Sequence, residues 1–268
     1  MENNNFLPES KYCLDPEMDR SKLKPGDVVT GWVSKFDYGT NSLTVELGNN
    51  LIATMPIEES TIYKIYRPGG TFISANVYLL IGKNIRAEVI SIDDGKIIIS
   101  RKQHMEKAVE LLKDQTVVSD AVVTSYFNRI YLFVDIGAGV LALIKSKELY
   151  PCYFTDIKET GIKPGDSFDV IISYDNDTQR FTASRLQALT PFVEVLNPGD
   201  IVQAKVFDAK EFYVNDRGNT IYSYYVAIMD NYPGILDSPI PISQGTMVTI
   251  VIKSLSKKGA RTRLIYSS

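Results

Sequence analysis

One imidazole, two thiols and a few adjacent carboxylates are all this chain offers for acid–base, redox or metal chemistry. The single histidine, His104, removes multi-histidine metal sites and designs that pass a proton between imidazoles. It sits in RKQHMEKAVELLKDQ, where Met105, Val109 and Leu112 recur at helical spacing. That segment reads as an amphipathic helix and His104 as one of its solvated residues. Cys13 and Cys152 supply neither a disulfide framework nor a four-cysteine zinc site. Asp93-Asp94 and Asp175-Asn176-Asp177 have the composition of turns, not of a metal or acid–base pair, and Glu58-Glu59 reads as a helix start after Pro56. Gly137 and Gly139 in DIGAGV lack the third glycine of a dinucleotide fingerprint, and there is no Walker loop. The expectation is a protein that is not an enzyme and uses no cofactor or metal. Tyrosine is the abundant functional side chain, sixteen copies in all, and it suits base stacking as well as strand faces.

The composition of the 268 residues, 44% hydrophobic and 23% charged, is that of a globular chain. A net charge of −3 excludes a globally basic nucleic-acid binder, so any phosphate contact needs a local basic face. No apolar run approaches the ~20 residues of a membrane span, and MENNNFLPES has neither the basic region nor the apolar core of a signal peptide. A cytoplasmic setting with no membrane partner is expected.

The elements that must position the tyrosines are short strands. Alternation of period two dominates Val28 to Phe36, Leu43 to Leu47, Ile85 to Ile92 and Ile97 to Ser100, with turn chemistry at Asp37-Tyr38-Gly39, Gly48-Asn49-Asn50 and Asp93-Asp94-Gly95. The pattern recurs. LKPGDVVTGWVSKF opens one unit and LNPGDIVQAKVFDA another, while DQTVVSDAVVTSYF opens a middle unit without the glycine. TVEL, FVDI and YVAI follow at mid-unit, then ATMP, ALIK and GILD, then a glycine-led pair of strands in each. Three units of five strands result. The expected organisation is a polar acidic tail over 1–22, which either docks or stays loose, and barrels over 23–105, 115–188 and 196–268. Linkers fall at 106–114, which is helical, and at 189–195.

A unit of GD-V-x-G-x-V, then FVDIGAGVLALIKSKEL, then a glycine-led hairpin closed by Ser-Arg resembles the RNA-binding repeat of ribosomal protein S1. The second unit follows the pattern most closely, the first matches at GDVVTGWV, TVELG, ATMPIEES and AEVISIDDGKIIISRK, and the third is degenerate with a lengthened first hairpin. The resemblance implies an all-β chain of three tandem five-stranded OB-fold barrels with short helical linkers. It also implies a binding face on the second and third strands of each barrel, where aromatics stack bases and Lys and Arg track phosphates. The partner implied is single-stranded RNA, in the setting of a ribosome or another RNA–protein machine.

Carried over position by position, the signature aromatic falls on Phe133 and Tyr225, with Tyr131 sharing the face of Phe133, and on Thr44 in the first unit. The second family aromatic is Tyr222 in the third unit, and the face histidine is replaced by Pro56, Lys145 and Asp237. The family's hairpin arginine falls near Lys96, Arg180 and Arg261, with Lys257, Lys258 and Arg263 adding charge in the third unit and Arg101 in the first. Phe36 and Tyr38 stand in for the missing aromatics of the first unit, and Trp32 reads as an anchor between units. A rival reading keeps the barrels and drops the RNA, leaving a protein-interaction scaffold with tyrosine anchors.

Overall fold

Alternating apolar residues in short strands can bury one face only by closing a sheet on itself, and this chain does so three times. The structure, a computed structural model, describes residues 6–14, 22–63, 79–149, 157–188, 196–228, 232–256 and 259–265. Barrel one contains β1 (Val28–Asp37), β2 (Ser42–Gly48), β3 (Leu51–Pro56), β4 (Asn84–Asp93) and β5 (Lys96–Ser100), closed in the order β1-β2-β3-β5-β4. Barrel two contains β6 (Val117–Phe127), β7 (Tyr131–Asp135), β8 (Leu141–Lys145), β9 (Ser167–Asp175) and β10 (Arg180–Ser184). Barrel three contains β11 (Ile201–Val214), β12 (Thr220–Ile228), β13 (Tyr232–Ser238), β14 (Met247–Ser256) and β15 (Gly259–Leu264). The parallel pairs β3–β5, β8–β10 and β13–β15 close them. The chain is therefore all-β, three tandem OB-like barrels.

Each first strand must turn from one neighbour to the other to close its barrel. A buried valine at the bend is gripped on both backbone atoms. Val33 donates to the Lys83 carbonyl (2.9 Å) and accepts from Gly82 N–H (2.8 Å). Val123 does the same with Asp166 and Gly165 (2.8 and 2.9 Å), and Val206 with Thr246 and Gly245 (2.9 and 2.7 Å). Register shifts just after Val33 and Val206 supply the bulges that let β1 and β11 bend there.

A second device recurs in a different place. Lys24-Pro-Gly-Asp27, Lys163-Pro-Gly-Asp166 and Asn197-Pro-Gly-Asp200 each fold back so that the aspartate carboxylate accepts the first residue's N–H, at 3.0, 2.9 and 2.7 Å. Proline presets the turn's second position and glycine takes the positive φ of its third. The turn leads into the first strand of barrels one and three but into the fourth strand of barrel two.

Ser100 caps α1 (Arg101–Lys113) by accepting Gln103 N–H at 2.9 Å, and the helix covers the RKQHMEKAVELLK expected to form one. α1 packs on β4. The same serine donates to Glu59, and barrel two repeats the arrangement: Ser184 accepts Gln187 N–H (3.1 Å) and donates to Glu148 (2.9 Å) ahead of α2 (Arg185–Ala188). The 189–195 linker lies outside the described residues.

By internal packing the chain forms two compact units, residues 1–116 with 135–141, and 117–134 with 142–268. In the first, residues 6–14 dock. Glu9 N–H donates to Asp135 Oδ2 (2.7 Å), Ala138 N–H to the Leu7 carbonyl (2.8 Å), and Asn84 to the Tyr12 carbonyl (3.0 Å). Asp135 Oδ1 in turn accepts Gly137 and Gly139 N–H at 2.9 and 3.1 Å. Gly137 has φ +138°, and a Cβ there would sit 2.5 Å from the Phe6 carbonyl, so the docked segment requires glycine.

Docking corrects the reading of His104. His104 is buried, 2% exposed and stacked 5.0 Å from Phe6, not solvated. Burial, with help from the nearby Arg86, Arg101 and Lys107 charges, pushes its pKa down to about 4. Burial and the Glu9 carboxylate push Asp135 up to about 6. Trp32 is 40% exposed on the outside of β1.

Candidate nucleic-acid interface

On a closed barrel every second residue of a strand points outward, so cross-strand register sets the rows of the outer face. In barrel one Thr44 pairs with Thr54, and Thr54 with Ile98. In barrel three the matching row is Tyr225, Ile235 and Arg261, followed by Ser223, Asp237 and Arg263. In barrel two Leu143 pairs with Thr182 in the same place, beside the β7 position of Phe133. Ser34 and Thr124 confirm the equivalence, because their hydroxyls donate to the carbonyls of Thr44 (3.4 Å) and Phe133 (3.1 Å).

Barrel two carries the aromatic surface. Leu132 and Val134 are buried, so Tyr131 and Phe133 share the outer face of β7, each half-buried. Phe127, at the end of β6, joins them with ring centroids 6.2 Å from Tyr131 and 6.4 Å from Phe133, and is 52% exposed. The expected set lacks Phe127. The signal was its place at the end of the strand that hydrogen-bonds to β7. Lys145 is exposed at the end of β8, and Arg180 is exposed at the start of β10, opposite Asp175. The Asp175 carboxylate caps its turn, and the Thr178 hydroxyl, with the Thr178 and Asp177 N–H groups (3.2 and 2.9 Å), holds its pKa below the usual carboxylate range.

Barrel three distributes its residues differently. Tyr225 is half-buried on the outer face, with exposed Arg261 and Arg263 two strands away. Tyr222 faces the other way: it shares the parity of Tyr224, Val226 and Ile228 and packs against the barrel core. Its neighbour is Phe212, 74% exposed and 6.4 Å from it, on the extended β11–β12 hairpin. Arg261 pairs with Ser254, two residues farther along its strand than Arg180 or Lys96, which pair with Asp175 and Asp93 near their turns. A register shift between Ile252 and Ser254 accompanies this offset. Lys257 and Lys258 lie outside the described residues.

Barrel one has little to stack with. Thr44, Thr54, Pro56 and Ile98 are half-buried, Lys96 is exposed at the hairpin, and Phe36 packs into the core with Tyr38 edge-on to it at 5.0 Å. Arg101 is a correction. It is 5% exposed, its guanidinium forming a two-point pair with Glu9 and donating to the Ser60 carbonyl (2.6 Å), so it cannot reach a bound phosphate. Tyr63 beside it accepts Leu141 N–H at 2.6 Å, and burial raises its pKa to about 12.

Among the described residues there is no cluster of three or more His, Cys, Asp or Glu able to hold a metal ion, and no helix long and apolar enough to cross a membrane. No family model matches the chain, and no curated protein matches it. Among solved structures it is similar to a multidomain protein with nucleic-acid-binding domains from Streptococcus pneumoniae. The identity is 13% and the TM-score 0.28, over 90% of this chain and 74% of that one. It is also similar to a chain of the a/eIF2alpha–aDim2p–rRNA complex from Pyrococcus horikoshii, at 20% identity and a TM-score of 0.25, over 34% of this chain and 52% of that one.

Proposed function

We propose that this protein is a non-enzymatic binder of single-stranded RNA that works chiefly through barrel two, with barrel three as a second contact. The observation that carries the reading is the ring group of Phe127, Tyr131 and Phe133, set on an outer barrel face with Lys145 and Arg180 exposed on the same barrel. Stacked bases contribute ~1–3 kcal/mol each, and nearby cations neutralise the phosphates between them. Barrel three adds Tyr225 with Arg261 and Arg263, and two tethered weak sites reinforce each other through effective concentration. A ribosome or another RNA–protein machine is the setting we assign to such a binder.

The test is titration of fluorescent single-stranded RNA of about twenty nucleotides at low and moderate salt. Micromolar or tighter binding with a log–log salt slope near −3, as expected for ~4 neutralised phosphates, supports the reading. Phe133→Ala with Arg180→Ala should weaken it tenfold or more.

A second reading rests on the β11–β12 hairpin, where Phe212 and Val214 are 74% and 64% exposed. Exposed apolar side chains of this kind suit a protein partner. Absence of RNA binding at low salt, with capture of a protein that Phe212→Ala abolishes, favours the scaffold.

A further inference from the structure

Barrel two holds a groove that shares Lys145 with the proposed binding surface but none of its rings. It lies across the outer side of β8, β10 and β9, encloses about 230 Å³, and is lined by Lys145, Lys147, Glu148, Ser173, Thr182 and Gln187 among others. Thr182 pairs with Leu143 on one side and Ser173 on the other, so the two hydroxyl side chains sit abreast on neighbouring strands. Both lysines and Gln187 are exposed, and among the described residues neither ammonium has an ion-pair partner. Glu148 accepts the Ser184 hydroxyl through one carboxylate oxygen.

The mixture of groups limits the ligand. Two ammonium groups call for an anion, yet a groove built for phosphate alone would not include a carboxylate. Hydroxyls and a carboxamide match a neutral group that both donates and accepts, and a carboxylate accepts from a hydroxyl but not from a phosphate oxygen. The volume is below the ~300 Å³ of small-molecule pockets, too small for a base with its sugar but fitting a sugar–phosphate link. The groove begins at the Leu143–Thr182 row, next to the β7 strand that carries Phe133.

We infer that this groove is a ribose–phosphate subsite: Lys145 and Lys147 neutralise one phosphate, while Thr182, Ser173 and Gln187 hydrogen-bond a ribose 2′-hydroxyl, giving barrel two a preference for RNA over DNA. The inference rests on the RNA-binding reading above and adds sugar specificity to it. The equivalent positions elsewhere lack the chemistry, since Thr182 is replaced by Ile98 in barrel one and by Arg261 in barrel three.

The experiment uses the full chain and three fluorescent probes of one sequence: a uridine dodecamer, its 2′-deoxy form and its 2′-O-methyl form. Wild-type protein should bind the ribose form roughly fivefold to tenfold more tightly than either modified form, the effect of one or two hydrogen bonds. Thr182→Val with Gln187→Ala should remove that preference and leave affinity for the deoxy form unchanged; Gln187→Ala alone serves if the double variant unfolds at lower urea. Lys145→Ala with Lys147→Ala should weaken all three probes and flatten the salt slope by about 1.4. Equal wild-type affinity for the three probes, or a preference that survives the Thr182 and Gln187 changes, overturns the subsite and leaves RNA binding standing. Failure of wild type to bind any probe at low salt overturns both.

Discussion

Barrels one and two share strand order, closing pair, gripped valine and serine-capped helix, yet their outer faces have little in common. Where barrel two has Phe133, Leu143 and Thr182, barrel one has Thr44, Thr54 and Ile98. The inward residues, Leu43 and Val45 against Leu132 and Val134, are interchangeable in kind. Fold and ligand chemistry are thus written on alternate residues of the same strands, and one can decay while the other is kept. Both barrels meet the docked N-terminal segment: Glu9 forms its buried ion pair with Arg101 after β5, and the segment's backbone bonds to Asp135 and Ala138 at the β7–β8 tip.

The sharpest contrast lies between two arginines. Arg101→Met should lower stability by about 3–5 kcal/mol, because it leaves the Glu9 carboxylate buried without its partner. Arg180→Ala should change stability by no more than about 0.5 kcal/mol and act on RNA affinity instead. Urea unfolding of both variants measures this, and equal losses would erase the division of labour.

Titration of the first unit comes next. The pKa of Asp135 is raised by folding, so the native state binds the extra proton and stability falls as pH rises from about 4 to about 6. The pKa of His104 is lowered, so the unfolded state binds the extra proton and stability rises over nearly the same window. With shifts of two units or more, each contribution is on the order of 3 kcal/mol. The wild type should therefore show a nearly flat profile between pH 4 and 6. His104→Leu should expose a falling profile and Asp135→Asn a rising one; parallel profiles in the two variants would show that these groups are not the ones titrating.

On the outer faces, Phe133→Ala should weaken RNA binding roughly fivefold to a hundredfold, the loss of ~1–3 kcal/mol of stacking, while Thr44→Ala leaves it unchanged. Comparable losses would mean that barrel one binds too. The smallest effect is electrostatic. Lys145→Ala should flatten the salt slope by about 0.7 and Pro56→Ala not at all, read from affinities at three salt concentrations.

Much of this was legible in the chain. The period-two runs and their threefold recurrence give the fifteen strands found among the described residues and their three barrels, because burying one face of a strand imposes an alternation that any sequence must display. The same parity places Phe133 and Tyr225 outward, and the Asp175-Asn176-Asp177 composition marks the turn that Asp175 caps. Parity also held the signal that Tyr222 faces inward, since 222 has the parity of Val226 and Ile228. Arg101 and His104 depart from the sequence expectation for a different reason. Each is buried by a partner more than ninety residues away, Glu9 in one case and Phe6 in the other, and no local pattern records so distant a contact. The offset of Arg261 arises at the hairpin, where Ser256–Gly259 and Leu255–Ala260 precede it in the ladder, whereas Arg180 and Lys96 belong to the first pair after their turns.

The docked N-terminal segment also has a consequence for synthesis. Glu9 and its acceptor Asp135 are 126 residues apart. At roughly 5–20 residues per second, the segment is made about 6–25 seconds before its acceptor. Barrel one can close on its own strands during that interval. The contacts of residues 6–14 with Asp135 and Ala138 form only after that, so this segment is among the last parts of the first unit to find its place.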